Sequence, residues 1–268
     1  MRLKDQVVIV TGAGSAIGRC MAVKLAAEGA RVALVARTEA DLHETAELAA
    51  HAPGETLVVP TEVTRADDTQ RMARVTVERW GRIDGLINNA GSFYALGPVA
   101  EVDAEKWWGD VTVNQLGTFL CCQAVLPTMV AQQSGCLIAL SGGGAGNPLP
   151  YGSGYASSKC ALFRFTECLA HEVREHNIRV FLMSPGFVRS RLTEYHVYSE
   201  EGKKYLPTMQ GSFEQGKDAP ADIAAERAIH LLADAPLELT GRQVGDEAFS
   251  SEFVQQTLSG DSGLMRIR

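Results

Sequence analysis

The sequence predicts an α/β fold in which a doubly wound parallel sheet carries helices on both faces. Short apolar runs alternate along the chain with longer stretches whose apolar residues recur with a helical period. Strict alternation of strands and helices implies parallel strands joined by crossover helices, and uninterrupted apolar runs are typical of strands buried on both faces. The chain has 268 residues, of which 46% are hydrophobic, so it can bury a substantial core.

Each element is predicted from its own pattern. Strands are expected at short runs rich in valine, isoleucine and leucine, at 6–11, 31–36, 56–60, 83–88, 136–141 and 178–184. Helices are expected at 17–28, 40–50, 66–80, 113–132 and 156–176, with a further one near 222–232. No repeat or linker divides the chain, so we expect a single domain over 1–268, with a long polar and aromatic segment at about 187–220 and a tail at about 247–268.

Composition argues against several classes of protein. The net charge is −7 and the isoelectric point is near 5.4, whereas nucleic-acid-binding proteins carry basic patches, so no nucleic-acid partner is expected. No run approaches the length of a membrane span and the N-terminus lacks a signal-peptide core, so we expect no membrane partner and a cytoplasmic location. Six cysteines without Cys-x-x-Cys spacing predict buried free thiols and no metal site: Cys20, Cys121, Cys122, Cys136, Cys160 and Cys168.

The turn Thr-Gly-Ala-Gly-Ser-Ala-Ile-Gly at 11–18 joins the first strand to the first helix. Small residues there allow backbone N–H groups at the helix N-terminus to approach a pyrophosphate, although the spacing departs from Gly-x-Gly-x-x-Gly. After the first strand of a βαβ series, this turn predicts a Rossmann-type dinucleotide site. Tight packing alone is the alternative reading of the turn.

The second strand ends at Ala36-Arg37-Thr38, without the acidic residue that would bind a ribose 2′-hydroxyl. Arg37 and Thr38 are suited to a 2′-phosphate instead. We therefore expect NADP(H) to be favoured, with NAD(H) possible. The alternative is that Arg37 is simply a solvated charge after a strand.

Tyr155 and Lys159 lie four residues apart in a predicted helix, so their side chains project from one face. An ammonium group near a phenol favours the phenolate, which predicts a lowered tyrosine pKa and a general acid or base. Because the spacing also arises by chance, an unremarkable surface pair is the alternative. The spacing alone is therefore weak evidence, and it indicates an acid/base pair only together with other motifs in the chain.

Four motifs together resemble those of the short-chain dehydrogenase/reductase family. They are the glycine turn at 11–18, Asn-Asn-Ala-Gly at 88–91, Val-Asn-Gln-Leu-Gly at 113–117, and Tyr-x-x-x-Lys at 155–159. Their order and spacing match the family over residues 5 to about 245, and a Pro-Gly segment follows at 184–190. The resemblance implies hydride transfer between a nicotinamide and a secondary alcohol or ketone carbon, with Tyr155 as the general acid or base.

The resemblance also implies roles for other residues. Lys159 would bind the nicotinamide ribose and lower the tyrosine pKa, and Asn114 would bend its helix and hold a water of a proton relay. Glu62 stands where the family more often has Asp, and Ser190 where it more often has Thr. The implied cofactor-binding residues are Gly12, Ser15, Ala16, Ile17, Gly18, Arg37, Thr38, Glu62, Val63, Asn89, Ala90, Gly91, Tyr155, Lys159, Pro185, Gly186, Val188 and Ser190.

One catalytic position departs from the family. The serine expected thirteen residues before the tyrosine is Gly142 here, and its neighbour is Ser141. Three explanations stay open: Ser141 donates to the substrate oxygen, helped by the glycines that follow it; a substrate group, Ser153, Tyr151 or a water donates, with Gly142 leaving room for a bulky substrate; or redox activity is lost or changed.

The resemblance leads us to expect that the segment 187–220 closes over substrate, which makes Gly142, Tyr151, Phe187 and Tyr195 tentative substrate residues. We expect His196 to be an exposed loop histidine rather than a second acid or base. The two long helices resemble a family dimer interface, which implies a homotetramer or, failing that, a homodimer. A non-redox dinucleotide sensor or scaffold, or a dehydratase or epimerase of the same family, are the alternative functions.

Overall fold

The computed structural model describes residues 1–245 and contains one seven-stranded sheet in the order β3-β2-β1-β4-β5-β6-β7, with every neighbouring pair parallel. The predicted fold class is confirmed. The predicted tail at 247–268 lies outside the described residues. The strands are β1 (Val7–Thr11), β2 (Arg31–Ala36), β3 (Glu55–Pro60), β4 (Gly85–Asn88), β5 (Gly135–Leu140), β6 (Ile178–Met183) and β7 (Arg242–Val244).

Helices fall close to the predicted bounds. They are α1 (Ala16–Ala27), α2 (Glu39–Leu48), α3 (Ala66–Trp80), α4 (Ala104–Val111), α5 (Gly117–Gln132), α6 (Ser153–Glu172), α7 (Arg191–Tyr198), α8 (Glu200–Tyr205), α9 (Pro207–Glu214) and α10 (Ala221–Ala233), with 3-10 turns at Arg174–His176 and Leu237–Leu239. The segment expected to be a long loop at 187–220 contains three of these helices. Its polar composition hid their short helical periods.

Both faces of the sheet are covered, which explains the uninterrupted apolar strands. Successive residues of β1 point to opposite sides: Val8 and Val10 pack in the core beneath α1 and α10, whereas Ile9 packs in the core beneath α3 and α5. The carboxyl ends of β1, β4 and β5 therefore meet at one edge of the sheet. The loops that follow these strands carry the site residues.

The predicted helix at 113–132 starts earlier and is interrupted. A π turn at Thr112–Leu116 joins α4 to α5, so helical structure runs from Ala104 to Gln132. This run is long and apolar enough to span a membrane by length and composition alone. It contains buried Asp110 and Asn114, which bond to a neighbouring loop, so it has the character of a core helix.

All six cysteines are free thiols, but the expectation that all are buried is wrong. Cys121, Cys122 and Cys136 are buried, whereas Cys160 and Cys168 are exposed and Cys20 is intermediate. Cys160 and Cys168 lie on the side of α6 that faces away from the sheet. An apolar sequence neighbourhood did not reveal which face of the helix each cysteine occupies.

Candidate active site

The glycine turn is built around close backbone approaches. Gly12 has φ +67°, a left-handed conformation that glycine adopts readily, and a Cβ there would lie 2.6 Å from Asn89 Nδ2. A Cβ on Gly18 would overlap the carbonyl oxygen of Gly12. Asn89 Nδ2 donates to the Thr11 carbonyl at 2.8 Å, and Thr11 Oγ1 accepts from the N–H of Ala90 at 3.0 Å. The turn after β1 is thereby fastened to the loop after β4.

A cleft of about 460 Å³ lies over this turn and runs along the carboxyl edge of the sheet. Most of the predicted cofactor residues line it. They are Gly12, Ser15, Ala16, Ile17, Gly18, Arg37, Thr38, Glu62, Val63, Asn89, Ala90, Gly91 and Ser190. Tyr155, Lys159, Pro185, Gly186 and Val188 are not among the lining residues.

The end of the cleft next to β2 is polar and contains a positive side chain, Arg37, and a negative one, Glu62. The Arg37 side chain is 76% exposed and its Nη1 lies 3.7 Å from Glu62 Oε2. Glu62 is also held by Thr64, whose hydroxyl donates to Oε1 at 3.0 Å. The exposed Arg37 guanidinium is thus available to an anion at the end of β2.

Sequence reasoning missed two cleft residues that pair with each other, Asp41 and Arg191. Arg191 Nη1 donates to Asp41 Oδ2 at 2.8 Å. The Arg191 guanidinium holds the pKa of the Asp41 carboxyl below its ordinary value. The two residues are far apart in sequence, so no local pattern could have joined them.

Tyr155 and Lys159 both lie on α6, as predicted, but their electrostatics differ from the expectation. Burial raises the pKa of Tyr155 to about 12, with a further contribution from the Asp110 charge. Burial also lowers the pKa of Lys159 to about 8. Lys159 Nζ donates to the Leu140 carbonyl at 2.8 Å and lies 5.6 Å from the centre of the Tyr155 ring. The predicted lowering of the tyrosine pKa is therefore wrong, because burial and the Asp110 charge both favour the neutral phenol.

Gly142 lies directly against the tyrosine. A Cβ on Gly142 would overlap the Tyr155 hydroxyl oxygen and lie 2.8 Å from Cζ. The ring of Tyr155 is stacked on Phe93, with centroids 4.3 Å apart and planes 12° apart. The position that a serine side chain would occupy at 142 is thus filled by the tyrosine hydroxyl.

Ser141 continues β5 by one residue, since its N–H donates to the Met183 carbonyl at 2.9 Å. Strand alternation gives it the same side as Ala139, which packs against Leu162 and Phe163 of α6. Ser141 is buried. Within residues 1–245, neither the Ser141 hydroxyl nor the Tyr155 hydroxyl has a hydrogen-bond partner, and neither is a fully buried unpaired group.

The loop after β4 is held by two side chains of the long helix. Asn114, in the π turn, accepts from the Ser92 N–H at 2.9 Å and donates to Ser158 Oγ at 2.9 Å. Asp110 accepts from the Ser92 hydroxyl at 2.5 Å and from the N–H groups of Tyr94 and Ala95 at 3.0 and 2.9 Å. Sequence reasoning did not identify Asp110, although an acidic residue inside an apolar helix was a signal.

His196 is not an exposed loop residue, so that expectation is wrong. It lies on α7 with 2% exposure, and its Nε2–H donates to the Phe93 carbonyl at 2.8 Å. Burial lowers the pKa of His196. The ring packs 4.3 Å from the Phe93 ring. His196 therefore holds the loop after β4 through a different backbone group from those that Asp110 binds.

An apolar and aromatic cluster lies beside Tyr155 beneath the helices of the 187–220 segment. Of the four tentative substrate residues, Tyr195 belongs to it and Gly142 borders it through Tyr155. Tyr151 is 46% exposed and packs on Tyr205 at 5.1 Å, whereas Phe187 stacks away from the cluster on Phe213 at 5.0 Å. The cluster consists of Phe93, Leu96, Leu149, Tyr155, Leu192, Tyr195, Tyr205, Leu206 and Met209.

Comparisons with known proteins agree with this geometry. The short chain dehydrogenase family matches residues 6–201. The chain is 31% identical over 248 residues to the 3-oxoacyl-(acyl-carrier-protein) reductase FabG of Thermotoga maritima, covering 91% of this chain and 97% of that protein. Levodione reductase superposes with a TM-score of 0.83 at 28% identity, over 91% of this chain and 96% of its own. NAD⁺-bound xylitol dehydrogenase superposes with a TM-score of 0.83 at 25% identity, over 92% and 99%.

The chain therefore belongs to the short-chain dehydrogenase/reductase family of oxidoreductases. Members of this family use NAD(P)(H), and the residues present fit such a group. Gly12 and Gly18 let the turn fold closely against Asn89 and its own backbone, and the turn lines the cleft at the N-terminus of α1, where backbone N–H groups suit a pyrophosphate. The cleft is elongated along the carboxyl edge of the sheet, where doubly wound folds bind dinucleotides.

Proposed function

We propose that the protein is an NADP(H)-dependent carbonyl reductase or alcohol dehydrogenase that interconverts a ketone and a secondary alcohol. The observation that carries this proposal is the Tyr155 side chain, which belongs to the apolar cluster and has buried Lys159 Nζ 5.6 Å from its ring centre. Tyr155 is only partly buried, and its hydroxyl has no hydrogen-bond partner among residues 1–245. A phenol that is free of protein partners and open to solvent is suited to bind a substrate oxygen.

In this proposal, a bound reduced nicotinamide supplies the hydride that adds to the carbonyl carbon. Tyr155 gives its proton to the carbonyl oxygen, and Ser141 Oγ donates a hydrogen bond to the same atom. With a pKa raised to about 12, the phenol stays protonated at neutral pH, which suits a general acid in the direction of reduction. Lys159 would hold the nicotinamide ribose and would return a proton to Tyr155 after each transfer.

The side chains around Tyr155 favour a substrate with an apolar or cyclic group beside its carbonyl. They are aromatic and aliphatic, and the nearby polar groups Asp110 and His196 are already bonded to the loop after β4. No charged side chain belongs to the cluster among the described residues. An apolar substrate group would therefore meet chemically similar side chains next to Tyr155.

Turnover on a ketone panel tests the function. The wild type is expected to oxidise NADPH with cyclic and aryl ketones, whereas Tyr155→Phe binds NADPH equally well and loses turnover. Ser141→Ala should lose about 10²-fold in kcat if Ser141 Oγ is the oxyanion donor. Cofactor binding without turnover on any ketone or alcohol would instead support a non-redox sensor or scaffold, and full turnover by Tyr155→Phe would refute the assigned acid.

Cofactor preference rests on Arg37, whose exposed guanidinium follows β2, a strand that ends without an acidic residue. Arg37→Ala is expected to weaken NADPH binding by about tenfold and to leave NADH binding unchanged, because only NADPH carries the 2′-phosphate. Isothermal titration with both cofactors measures this ratio. An unchanged ratio would assign the preference to another residue.

A further inference from the structure

Arg191 joins the substrate-covering segment to the opposite wall of the cofactor cleft. It is the first residue of α7, which Ser190 caps by accepting from the Thr193 N–H. Its two Nη atoms lie 2.8 Å and 3.4 Å from the two carboxylate oxygens of Asp41, which is in the first turn of α2. Both residues line the cleft. The pair therefore crosses the opening of the cleft.

The pair lies beside the glycine turn. A Cβ on Gly14 would lie 2.8 Å from the Asp41 Cβ, so the Asp41 carboxylate projects from a position packed on that turn. The bidentate geometry by which Arg191 holds a carboxylate is also the geometry by which arginine holds a phosphate. Arg191 is thus placed to reach an anion at the N-terminus of α1.

Breaking the ion pair between Arg191 and Asp41 should cost little free energy. The Arg191 side chain is 69% exposed, and ion pairs at such positions contribute little to stability. Arg19 is also near the turn, but its guanidinium donates to the Gly14 and Asp41 carbonyls and to Thr45 Oγ1. Arg19 also pairs with Glu44 at 2.8 Å, so several groups hold it in place, whereas the hydrogen bonds of Arg191 all go to one carboxylate.

We propose that Arg191 is a phosphate-binding residue that exchanges Asp41 for the diphosphate of the bound dinucleotide. This inference rests on the proposed dinucleotide-dependent function. The diphosphate is the group assigned because Asp41 packs on the glycine turn, whereas Arg37 and Glu62 mark the adenosine end of the cleft. When Arg191 leaves Asp41, the start of α7 becomes fastened to the cofactor, which couples cofactor binding to the segment that covers the substrate.

Binding measured by isothermal titration tests the exchange without any need for turnover. For Arg191→Ala, the affinities for NADPH, NADH and ADP should fall by a common factor of about tenfold, and the affinity for adenosine should not change. Arg189→Ala is the matched control, because Arg189 lies on the same segment but is bound to Asp218 at 3.6 Å and to the Phe213 ring at 4.5 Å. It should bind all four ligands as the wild type does.

Asp41→Asn distinguishes an Arg191 that leaves Asp41 for the diphosphate from an Arg191–Asp41 ion pair that stays formed when cofactor binds. If Arg191 exchanges partners, this variant binds NADPH at least as tightly as the wild type, because the competing carboxylate is gone. A loss matching that of Arg191→Ala would show that the ion pair acts by holding the segment in place, and would overturn the inference. If Arg191→Ala weakens the binding of NADPH but not of NADH or ADP, then Arg191 binds the 2′-phosphate rather than the diphosphate. That result would also overturn the inference.

The failures of the two proposals are distinguishable. Wild-type protein that binds neither NADPH nor NADH would refute the proposed function, and the inference with it. Wild-type binding that Arg191→Ala leaves unchanged would refute the inference alone.

Discussion

The hydroxyl of Tyr155 occupies the space that a Cβ on residue 142 would fill. Tyr155 cannot simply turn aside, because its ring is stacked on Phe93 at 4.3 Å. Of the explanations for the missing serine, we favour Ser141 as the donor, because its hydroxyl has no partner among residues 1–245 and strand alternation with Ala139 directs it toward α6. Glycine at 142 is then required by the position of the tyrosine.

Substitutions at 142 should therefore reduce activity. Gly142→Ala adds only the Cβ that overlaps the Tyr155 hydroxyl, and we expect kcat to fall at least about tenfold because displacement of a reacting group by about 1 Å is costly. Gly142→Ser carries the same Cβ and should lose a similar amount in steady-state assays. If serine restores what alanine loses, then a hydroxyl at 142 can replace the donor, which would contradict our assignment of Ser141.

Lys159 holds a buried charge that works against stability. Because its folded pKa is lowered to about 8, the cost of burying the ammonium is present below pH 8 and is relieved as pH rises from about 8 to about 10.5. Lys159→Met should raise the free energy of unfolding at pH 7 by about 1 to 2 kcal/mol, since the lost bond to the Leu140 carbonyl offsets part of the gain.

The pH dependence provides the control for this prediction. The advantage of Lys159→Met over the wild type should shrink between pH 8 and 10.5 in urea unfolding, while activity is lost at every pH. A variant less stable than the wild type at pH 7 would mean that the hydrogen bond outweighs the desolvation.

At the scale of elements, three helical segments fix the loop after β4. Asp110 of α4 and Asn114 of the π turn bind its N–H groups, and His196 of α7 binds its Phe93 carbonyl. The loop in turn places Phe93 on the ring of Tyr155. Asp110 is therefore a positioning residue that acts on the tyrosine through the loop.

Asp110→Asn should disturb this arrangement, because an amide has only one acceptor oxygen and places an NH₂ group against the loop N–H donors. We expect a loss of about 2 kcal/mol in the free energy of unfolding and a fall in kcat with little change in the affinity for NADPH. Asp103→Asn is the control: it caps α4 through the Lys106 N–H at 2.8 Å, and asparagine caps equally well. Unchanged kcat in Asp110→Asn would remove its positioning role.

Element bounds were predicted well where periodicity was strong, and less well elsewhere. The six predicted strands and α3 agree closely with the structure. The helices within 187–220 were missed because each has eight residues or fewer, which is too short for a helical period to stand out. The burial of His196 was missed for the same reason, since the segment was treated as a loop.

For the whole molecule, exposed apolar side chains on the long helix are consistent with the predicted oligomer. Leu116 and Phe119 are 42% and 41% exposed, and Trp108 is 63% exposed. Phe119 also contacts Phe165 of α6 at 6.3 Å. A face of this kind is typical of subunit interfaces, and a homotetramer or homodimer stays a prediction.

Phe119→Glu should yield a smaller species than the wild type in light scattering, because a charge at the centre of an apolar contact is not compensated. Val99→Glu is the control, since Val99 is 77% exposed on a turn outside the helical run 104–132. A wild-type protein that is monomeric at assay concentrations would contradict the prediction.

Local pattern was enough for the sheet, the glycine turn and the Tyr155–Lys159 pair, because strand and helix periods and short motifs depend on neighbours in sequence. The pKa of Tyr155 depends on how much water reaches the phenol, and folding decides that. The contacts of Asp41 with Arg191, of His196 with Phe93, and of Gly142 with Tyr155 join segments that meet only when the sheet assembles. Tyr155 and Lys159 were therefore identifiable from the chain alone, whereas their protonation and their neighbours follow from tertiary packing.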